Sequence, residues 1–273
     1  MKQECRTIDG VEWAYADLGA GPEVLLVFPG ALGAVDAAGA VLEALAESRR
    51  VVVLAYPAVE TMDALCDGTV ALLDALGVAR VDVLGSSLGG WVAQCLVGRH
   101  PARVRHLVLS HTFVLRPEAA WRFRASIRLA SAFPGWLFRA ALRARLRSVL
   151  GPLRRAGRTD EAERLVHAAV DGGAFTPVVV TRYNRWMLQS LTDSPRSVGQ
   201  TRRVLIVESG DDPVIRPRER AALRASYPGA TVRTFMGAGH ATSLVYPREV
   251  AEAVSTFLAA DAPVQPTAAL AAG

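Results

Sequence analysis

Short apolar runs alternate with amphipathic stretches along most of this chain. The runs at 23–28, 50–55 and 81–85 are almost continuously apolar, which is typical of strands buried on both faces of a parallel sheet. Stretches with helical spacing follow them, so the pattern predicts an α/β fold, with a parallel sheet, helices on both faces and right-handed crossovers. Further strands are expected at 104–110, 203–207 and 231–235, and helices at 37–48 with Asp36 as N-cap, 62–76, 88–99, 218–227 and 247–258.

The first residues follow a different pattern from the buried strands. Extended runs at 3–8 and 11–18 flank the pair Asp9-Gly10. An Asp-Gly pair between two extended runs is a strong signal for a hairpin turn. We therefore expect two short strands joined as a hairpin before the first parallel strand.

Strand signals become sparse in the middle of the chain, after the predicted strand at 104–110. Apolar residues there recur at helical spacing, with arginines between them. This pattern predicts an inserted all-helical cap. The predicted organisation is a core made of 1–115 and 201–260, a helical cap at 116–200, and a tail at 261–273 that is rich in alanine and proline and is expected to be disordered or loosely attached.

The most specific chemical signal is Gly85-Ser86-Ser87-Leu88-Gly89, which joins a predicted strand to a predicted helix. Small residues two positions before and after Ser87 allow the sharp turn of a nucleophile elbow, in which the serine adopts a strained backbone. Ser87 would then stand at a helix N-terminus, where free N–H groups favour negative charge that develops during a reaction. The alternative is an ordinary glycine-rich turn with an uninvolved serine.

Acid and base residues follow this serine in the order that such a nucleophile requires. Asp212 comes shortly after the predicted strand at 203–207, where an orienting carboxylate is expected, and the adjacent Asp211 is the alternative. Either aspartate could instead form a turn or cap a helix. His240 lies in a loop of small residues, whose mobility and access suit a general base.

A second loop of small residues, at 29–33, follows the first predicted parallel strand. One donor of an oxyanion hole commonly lies in the loop after this strand. We expect the backbone N–H of Ala31, with Leu32 as the near alternative, to act together with the N–H of Leu88. A plain tight turn is the other interpretation of this loop.

Several residues near these groups are candidates for the substrate pocket. His111 is one of them because it follows the end of the predicted strand at 104–110; Leu32, Ser86 and Trp121 are the others. Arginines of the cap could meet an anionic group such as a carboxylate or a carrier phosphate, although a solvated helix face is the favoured interpretation. The arginines considered are Arg122, Arg124, Arg128 and Arg139.

Composition narrows the class of protein. The 273 residues are 51% hydrophobic, so a sizeable core is expected and global disorder is not. The net charge of +5 comes from arginine, with Lys2 as the only lysine. Because the chain has no nucleic-acid-binding signature, we expect a small-molecule substrate and no nucleic-acid partner. The three scattered cysteines predict neither a disulfide framework nor a metal site and fit a reduced compartment. Without an apolar signal core or a membrane-length apolar run, a cytoplasmic protein is expected.

With Ser87, Asp212 and His240 in this order, and a helical insertion before the acid, the chain resembles the α/β-hydrolase superfamily over residues 11–258. The resemblance implies the α/β-hydrolase fold, an acyl-enzyme mechanism, and no metal or organic cofactor. One departure is Pro29-Gly30, where the family usually has His-Gly, and this leaves the role of Ala31 open. The implied substrate is a small, largely apolar ester or thioester, with a carbon–carbon bond between carbonyls as a further candidate.

Two other functions stay open on the sequence. Because fold does not fix function, His240 could act as a base for elimination or cyclisation of a biosynthetic intermediate, as in a lyase or cyclase of secondary metabolism. The chain is also similar to members that look like binding proteins, the maspardin-like proteins among them, although its intact acid and base argue against that role. The oligomeric state is left open, with a dimer as one option.

Overall fold

A computed structural model describes residues 3–33, 39–132, 134–173, 175–191 and 203–260. Its centre is an eight-stranded sheet with the order β1-β2-β4-β3-β5-β6-β7-β8. The first two strands run antiparallel to their neighbours, and all later neighbours are parallel. The strands are β1 (Gln3–Ile8), β2 (Val11–Leu18), β3 (Val24–Phe28), β4 (Arg50–Leu54), β5 (Val81–Ser86), β6 (Val104–Ser110), β7 (Val204–Ser209) and β8 (Thr231–Phe235).

Helices cover both faces of this sheet. Within the described part of the chain they are α1 (Gly39–Ala46), α2 (Met62–Ala75), α3 (Leu88–Arg99), α4 (Ala120–Ala132), α5 (Gly135–Val149), α6 (Gly151–Arg155), α7 (Thr159–Asp171), α8 (Pro177–Ser190), α9 (Pro217–Ser226), α10 (Thr242–Val245) and α11 (Pro247–Ala259). On one face, α2 and α3 pack on the strands through a core that contains Trp13, Leu65 and Trp91. On the other face, α1 and α11 pack on residues such as Leu25 and Val27.

The strands form where the apolar runs predicted them. Every residue of β3 is buried, as are Val51 to Leu54 of β4, because both faces of these strands are covered by helices. The hairpin between β1 and β2 turns at Asp9 and Gly10, which have φ values of 48° and 77°. Two consecutive positive φ angles suit the twist of a tight hairpin, and this explains the Asp-Gly pair.

The helices α4 to α8 lie between β6 and β7, where the sequence predicts the cap. Helix α8 is anchored to the core because Trp186 Nε1 donates to the carbonyl of Val59 at 3.1 Å and Trp91 Nε1 donates to Ser190 Oγ at 2.7 Å. Helices α5, α6 and α7 share a smaller apolar cluster that also includes Ala241. The cap boundaries stay a prediction, and residues 192–200 of the predicted range lie outside the described residues.

Of the bounds of the five helices predicted from the sequence, four agree with the structure and the others differ by one or two residues. Helix α1 begins at Gly39, and the predicted N-cap Asp36 lies outside the described residues. The short helices α6 and α10 were not predicted, because four or five residues are too few for a helical period to be recognised. The predicted tail at 261–273 also lies outside the described residues.

Candidate active site

The turn from β5 into α3 places Ser87 at the carboxyl edge of the sheet. Ser87 has φ 51° and ψ −115°, a left-handed backbone conformation that residues other than glycine rarely adopt. Its N–H donates to the carbonyl of Ser110 at 2.9 Å, and its own carbonyl accepts from Thr112 Oγ1 at 2.7 Å and from the N–H of Gly90 at 3.0 Å. These three bonds hold the strained peptide in place, and local strain of this kind is typical of functional positions.

A carboxylate and an imidazole meet beside this turn. Asp212 Oδ2 lies 2.8 Å from His240 Nδ1, and Asp212 Oδ1 accepts from the N–H groups of Val214 at 2.7 Å and Ile215 at 3.0 Å. Burial raises the pKa of Asp212, but the hydrogen bond and charge of His240 and the two backbone donors outweigh burial and lower the pKa overall. An ionised Asp212 can accept the proton of Nδ1, and Nε2 is the ring nitrogen that could then accept another proton.

The adjacent carboxylate, Asp211, has different partners. Its Oδ1 accepts from Ser209 Oγ at 2.6 Å and from the N–H groups of Gly237 at 3.1 Å and Gly239 at 3.3 Å. The hydrogen bond from Ser209 contributes most to lowering the pKa of Asp211. Asp211 therefore binds the backbone of the loop that carries His240, and its carboxylate makes no hydrogen bond to the imidazole ring among the described contacts.

A buried histidine joins the end of β6 to the same loop. His111 Nε2 lies 2.7 Å from Thr242 Oγ1, and Thr242 Oγ1 donates to the carbonyl of Gly239 at 3.2 Å, so Nε2 carries the proton of His111. The other ring nitrogen, Nδ1, accepts from Ser110 Oγ at 3.0 Å. The bridge Ser110–His111–Thr242 thus braces the loop next to His240, whose ring lies edge-on to His111 at a centroid distance of 5.8 Å.

Stability should fall as the pH is lowered because of this histidine. Burial, followed by the charge of His240, lowers the pKa of His111 from 6.5 to about 3; Arg220 adds to this, and Asp212 and Asp211 oppose it. The unfolded chain therefore binds a proton below pH 6.5 that the folded chain rejects. Between about pH 7.5 and pH 5.5 we expect this group to remove roughly 1.4 kcal/mol from the free energy of unfolding, measured by urea titration.

The matched variants for this measurement are His111→Asn and His167→Asn. Asparagine tolerates the φ of 48° at position 111 but does not titrate, so His111→Asn should lose the extra pH dependence even if it is less stable throughout. His167 is exposed, and its replacement should keep the wild-type dependence. Equal pH dependence in wild type and His111→Asn would contradict the assignment of a neutral, buried His111.

The predicted oxyanion donors lie at the ends of β3 and β5. The chain turns after Gly30, where the N–H of Gly33 donates to the Gly30 carbonyl at 3.0 Å. Within the described part of the chain, the N–H groups of Ala31, Leu32 and Leu88 donate no hydrogen bond. Leu88 is the first residue of α3, so its N–H is one of the free groups of a helix N-terminus. The role of these amides stays a prediction.

Ser87 and His240 open into one cavity of about 400 Å³. Ala31 and three of the predicted pocket residues, Leu32, Ser86 and His111, also line it. Its remaining walls are mostly aliphatic and include Val27, Val53 and Val207, which face α1 and α11, and Leu142, Leu146 and Val149 of α5. Ser87 Oγ makes no hydrogen bond to another described residue. Catalytic hydrogen bonds are commonly long or misaligned without a substrate.

The structure does not bring every predicted pocket residue to this cavity. Trp121 is 68% exposed and lies away from it, as do the cap arginines considered from the sequence. Arg145 of α5 lines the cavity instead, although it was not among the predicted pocket residues. Helical spacing places Arg145 on one stripe of α5 with Leu142, Leu146 and Val149, but the spacing does not show that this stripe meets the cavity.

Comparisons with known proteins agree with the fold. Residues 23–247 match the model of the alpha/beta hydrolase fold. A 2-hydroxymuconate semialdehyde hydrolase from Pseudomonas sp. (strain CF600) is 27% identical over 273 residues, which cover 92% of this chain and 91% of that protein. A hydrolase from Pseudomonas aeruginosa PA01 has a TM-score of 0.76 at 24% identity, with 94% and 98% of the two chains covered. A thermophilic esterase from Thermogutta terrifontis has a TM-score of 0.75 at 23% identity and the same coverage.

The family match covers most of the chain and agrees with the mostly parallel sheet. The chain therefore belongs to the α/β-hydrolase fold family, and it is an enzyme of that family. No helix in the described ranges is long and apolar enough to cross a membrane. Those ranges also contain no group of three His, Cys, Asp or Glu side chains that could hold a metal ion.

Proposed function

We propose that this enzyme is a serine-type hydrolase that cleaves a small, largely apolar ester or thioester through an acyl-enzyme. The observation that carries the proposal is the 2.8 Å contact between Asp212 and His240, with His240 and the strained Ser87 lining the same cavity. Nucleophile, orienting acid and base follow one another in the chain order of the elbow-type hydrolases. The helices α4 to α8 would act as the cap, since α5 supplies one wall of the cavity.

The reaction would proceed in two acyl-transfer steps. His240 Nε2 takes the proton of Ser87 as Oγ attacks the carbonyl carbon, and Asp212 stabilises the imidazolium that forms. The N–H groups of Leu88 and Ala31 would bind the oxyanion. The leaving alcohol or thiol then departs with the proton from His240. Water attacks the acyl-enzyme with His240 as base, the acid is released, and Ser87 regains its proton.

The shape and lining of the cavity support the substrate class. A volume of about 400 Å³ suits a small ligand, and aliphatic side chains on both the α5 side and the α1–α11 side would cover an acyl chain. The resemblance to a protein named an esterase supports an ester substrate, and the relative named a hydrolase of 2-hydroxymuconate semialdehyde keeps a carbon–carbon bond between carbonyls as a candidate.

The test is covalent labelling with a fluorophosphonate, because this reagent reports an activated serine without knowledge of the substrate. We expect rapid, stoichiometric labelling of the wild-type protein with the adduct on the peptide that contains Ser87. The Ser87→Ala and His240→Ala variants should not be labelled. If folded wild-type protein stays unlabelled while its cavity still binds small apolar ligands, the acyl-enzyme proposal is wrong, and the lyase, cyclase or binding functions take its place.

A further inference from the structure

One side chain in the cavity wall differs from its neighbours. Four residues of α5 line the cavity, namely Leu142, Arg145, Leu146 and Val149, with the spacing of a single helix face. Three of them are aliphatic and one is an arginine. Arg145 is exposed, so it lies at the open rim of the cavity rather than in its buried interior.

The neighbouring arginines of α5 have acidic partners, whereas Arg145 has none among the described residues. Arg143 Nη2 lies 2.7 Å from a carboxylate oxygen of Asp171, and Arg147 Nη2 lies 2.9 Å from one of Glu163. Arg145 forms no ion pair or hydrogen bond with any residue that the structure describes. The described lining of the cavity also contains no aspartate or glutamate. A cation therefore lines an otherwise largely apolar chamber without a counter-charge in that lining.

This position suits recognition of an anion. A guanidinium at the rim stays hydrated in the free enzyme, so its charge costs little there, and its planar fork can donate two parallel hydrogen bonds to a carboxylate. The aliphatic walls would meanwhile cover the chain between that carboxylate and the scissile carbonyl at Ser87. A neutral apolar substrate needs no cation in this wall, and a leucine at position 145 would complete the apolar stripe.

We propose that Arg145 is a carboxylate-binding subsite, and that the substrate is an ester or thioester with a second, free carboxylate at the end of a short apolar chain. The inference rests on the proposed hydrolase function, since it names the substrate class of the same cavity. Arg145 contributes to binding and orientation and takes no part in bond cleavage. The enzyme would therefore distinguish substrates by the ion pair between Arg145 and the free carboxylate, because an uncharged substrate of equal size cannot form that pair.

Binding is measured first, in the Ser87→Ala variant, so that the result does not depend on turnover. The ligands are monoethyl adipate, which has one free carboxylate, and the monoamide of the same ester, which has the same length without the charge. We expect the acid to bind about tenfold more tightly than the amide, since a hydrogen bond to a charged group commonly strengthens binding by that factor or more. Adding Arg145→Gln should remove the difference, and adding Arg145→Lys should keep part of it.

Turnover is measured second, with para-nitrophenyl esters of adipic acid and of its monoamide. The wild-type ratio of kcat/KM for the acid over the amide should be about ten or more, should lie mainly in KM, and should fall with added salt. Arg139→Gln is the matched control: Arg139 lies on the same helix, is exposed and is not part of the cavity lining, so the variant should keep the wild-type ratio.

The outcomes separate the two proposals. If Ser87→Ala binds acid and amide equally, the subsite proposal is wrong whether or not the esters are hydrolysed. If the acid binds more tightly through Arg145 but wild-type enzyme hydrolyses neither ester and resists the fluorophosphonate, the subsite is supported and the hydrolase proposal fails. If Arg139→Gln lowers the ratio as much as Arg145→Gln, a general charge effect of the cap replaces a specific subsite.

Discussion

Replacing Asp212 by asparagine is expected to slow fluorophosphonate labelling of Ser87 by roughly 10⁴-fold, the loss typical of an orienting aspartate in a serine triad. The carboxylate accepts the Nδ1 proton of His240, whereas an asparagine amide at that place can present an N–H and favour the tautomer protonated on Nε2. That tautomer cannot take the proton of Ser87. The backbone donors of Val214 and Ile215 can still bind the asparagine oxygen, so the fold should survive.

The neighbouring aspartate provides the matched control for this measurement. Asp211 binds Ser209 and the backbone of Gly237 and Gly239, so Asp211→Asn should loosen the loop that carries His240 without changing its tautomer. We expect about a tenfold loss in labelling rate together with a lower Tm. A larger loss of labelling in Asp211→Asn than in Asp212→Asn, at equal retention of fold by circular dichroism, would reverse the two assignments.

The central parallel strands were predictable because they are buried on both faces, unlike the exposed edge strand β8. Such a strand needs a continuous apolar run, and the runs at β3, β4 and β7 are interrupted by few polar residues. The elbow was equally visible, because the close approach of Gly85 and Gly89 to neighbouring backbone requires small residues at a fixed spacing. A structural feature can therefore be predicted from local sequence when a single strand or turn requires particular residue types at fixed positions.

Features that depend on packing between distant segments could not be predicted in the same way. Asp211 and Asp212 are adjacent and chemically alike, and only the folded turn directs one to the His240 ring and the other to backbone amides. The bridge from His111 to Thr242 joins residues 131 positions apart. The same limit applies to the cap, where helical spacing shows which residues share a face but not which face meets the cavity. For this reason Trp121 was predicted to line the cavity, which it does not, and Arg145 was not among the predicted residues.

Replacing Gly89 by alanine is expected to be the most damaging small change to the fold around the site. Gly89 lies in the first turn of α3, and an added Cβ would meet the carbonyl oxygen of Phe28 and lie 2.5 Å from that of Pro29. Both obstacles are backbone atoms, one in β3 and one in the loop at 29–33, so they cannot move aside as a side chain could. Overpacking of this kind costs about 3 kcal/mol, which corresponds to a Tm lower by ~5 °C in a chain of this size.

To relieve this clash, α3 would have to move away from β3. That movement should also slow the reaction of Ser87, because it separates the N–H of Leu88 from the N–H of Ala31, the two proposed oxyanion donors. We therefore expect Gly89→Ala to lose most fluorophosphonate labelling even at temperatures where it remains folded.

Gly135→Ala is the matched control: Gly135 also begins a helix, and no atom lies within 4 Å of the place that its Cβ would take. Its Tm should match or exceed that of wild type, since alanine is the better helix former. Wild-type Tm and labelling in Gly89→Ala would mean that α3 can move away from β3 without loss, and the requirement for glycine at this end of the elbow would be refuted.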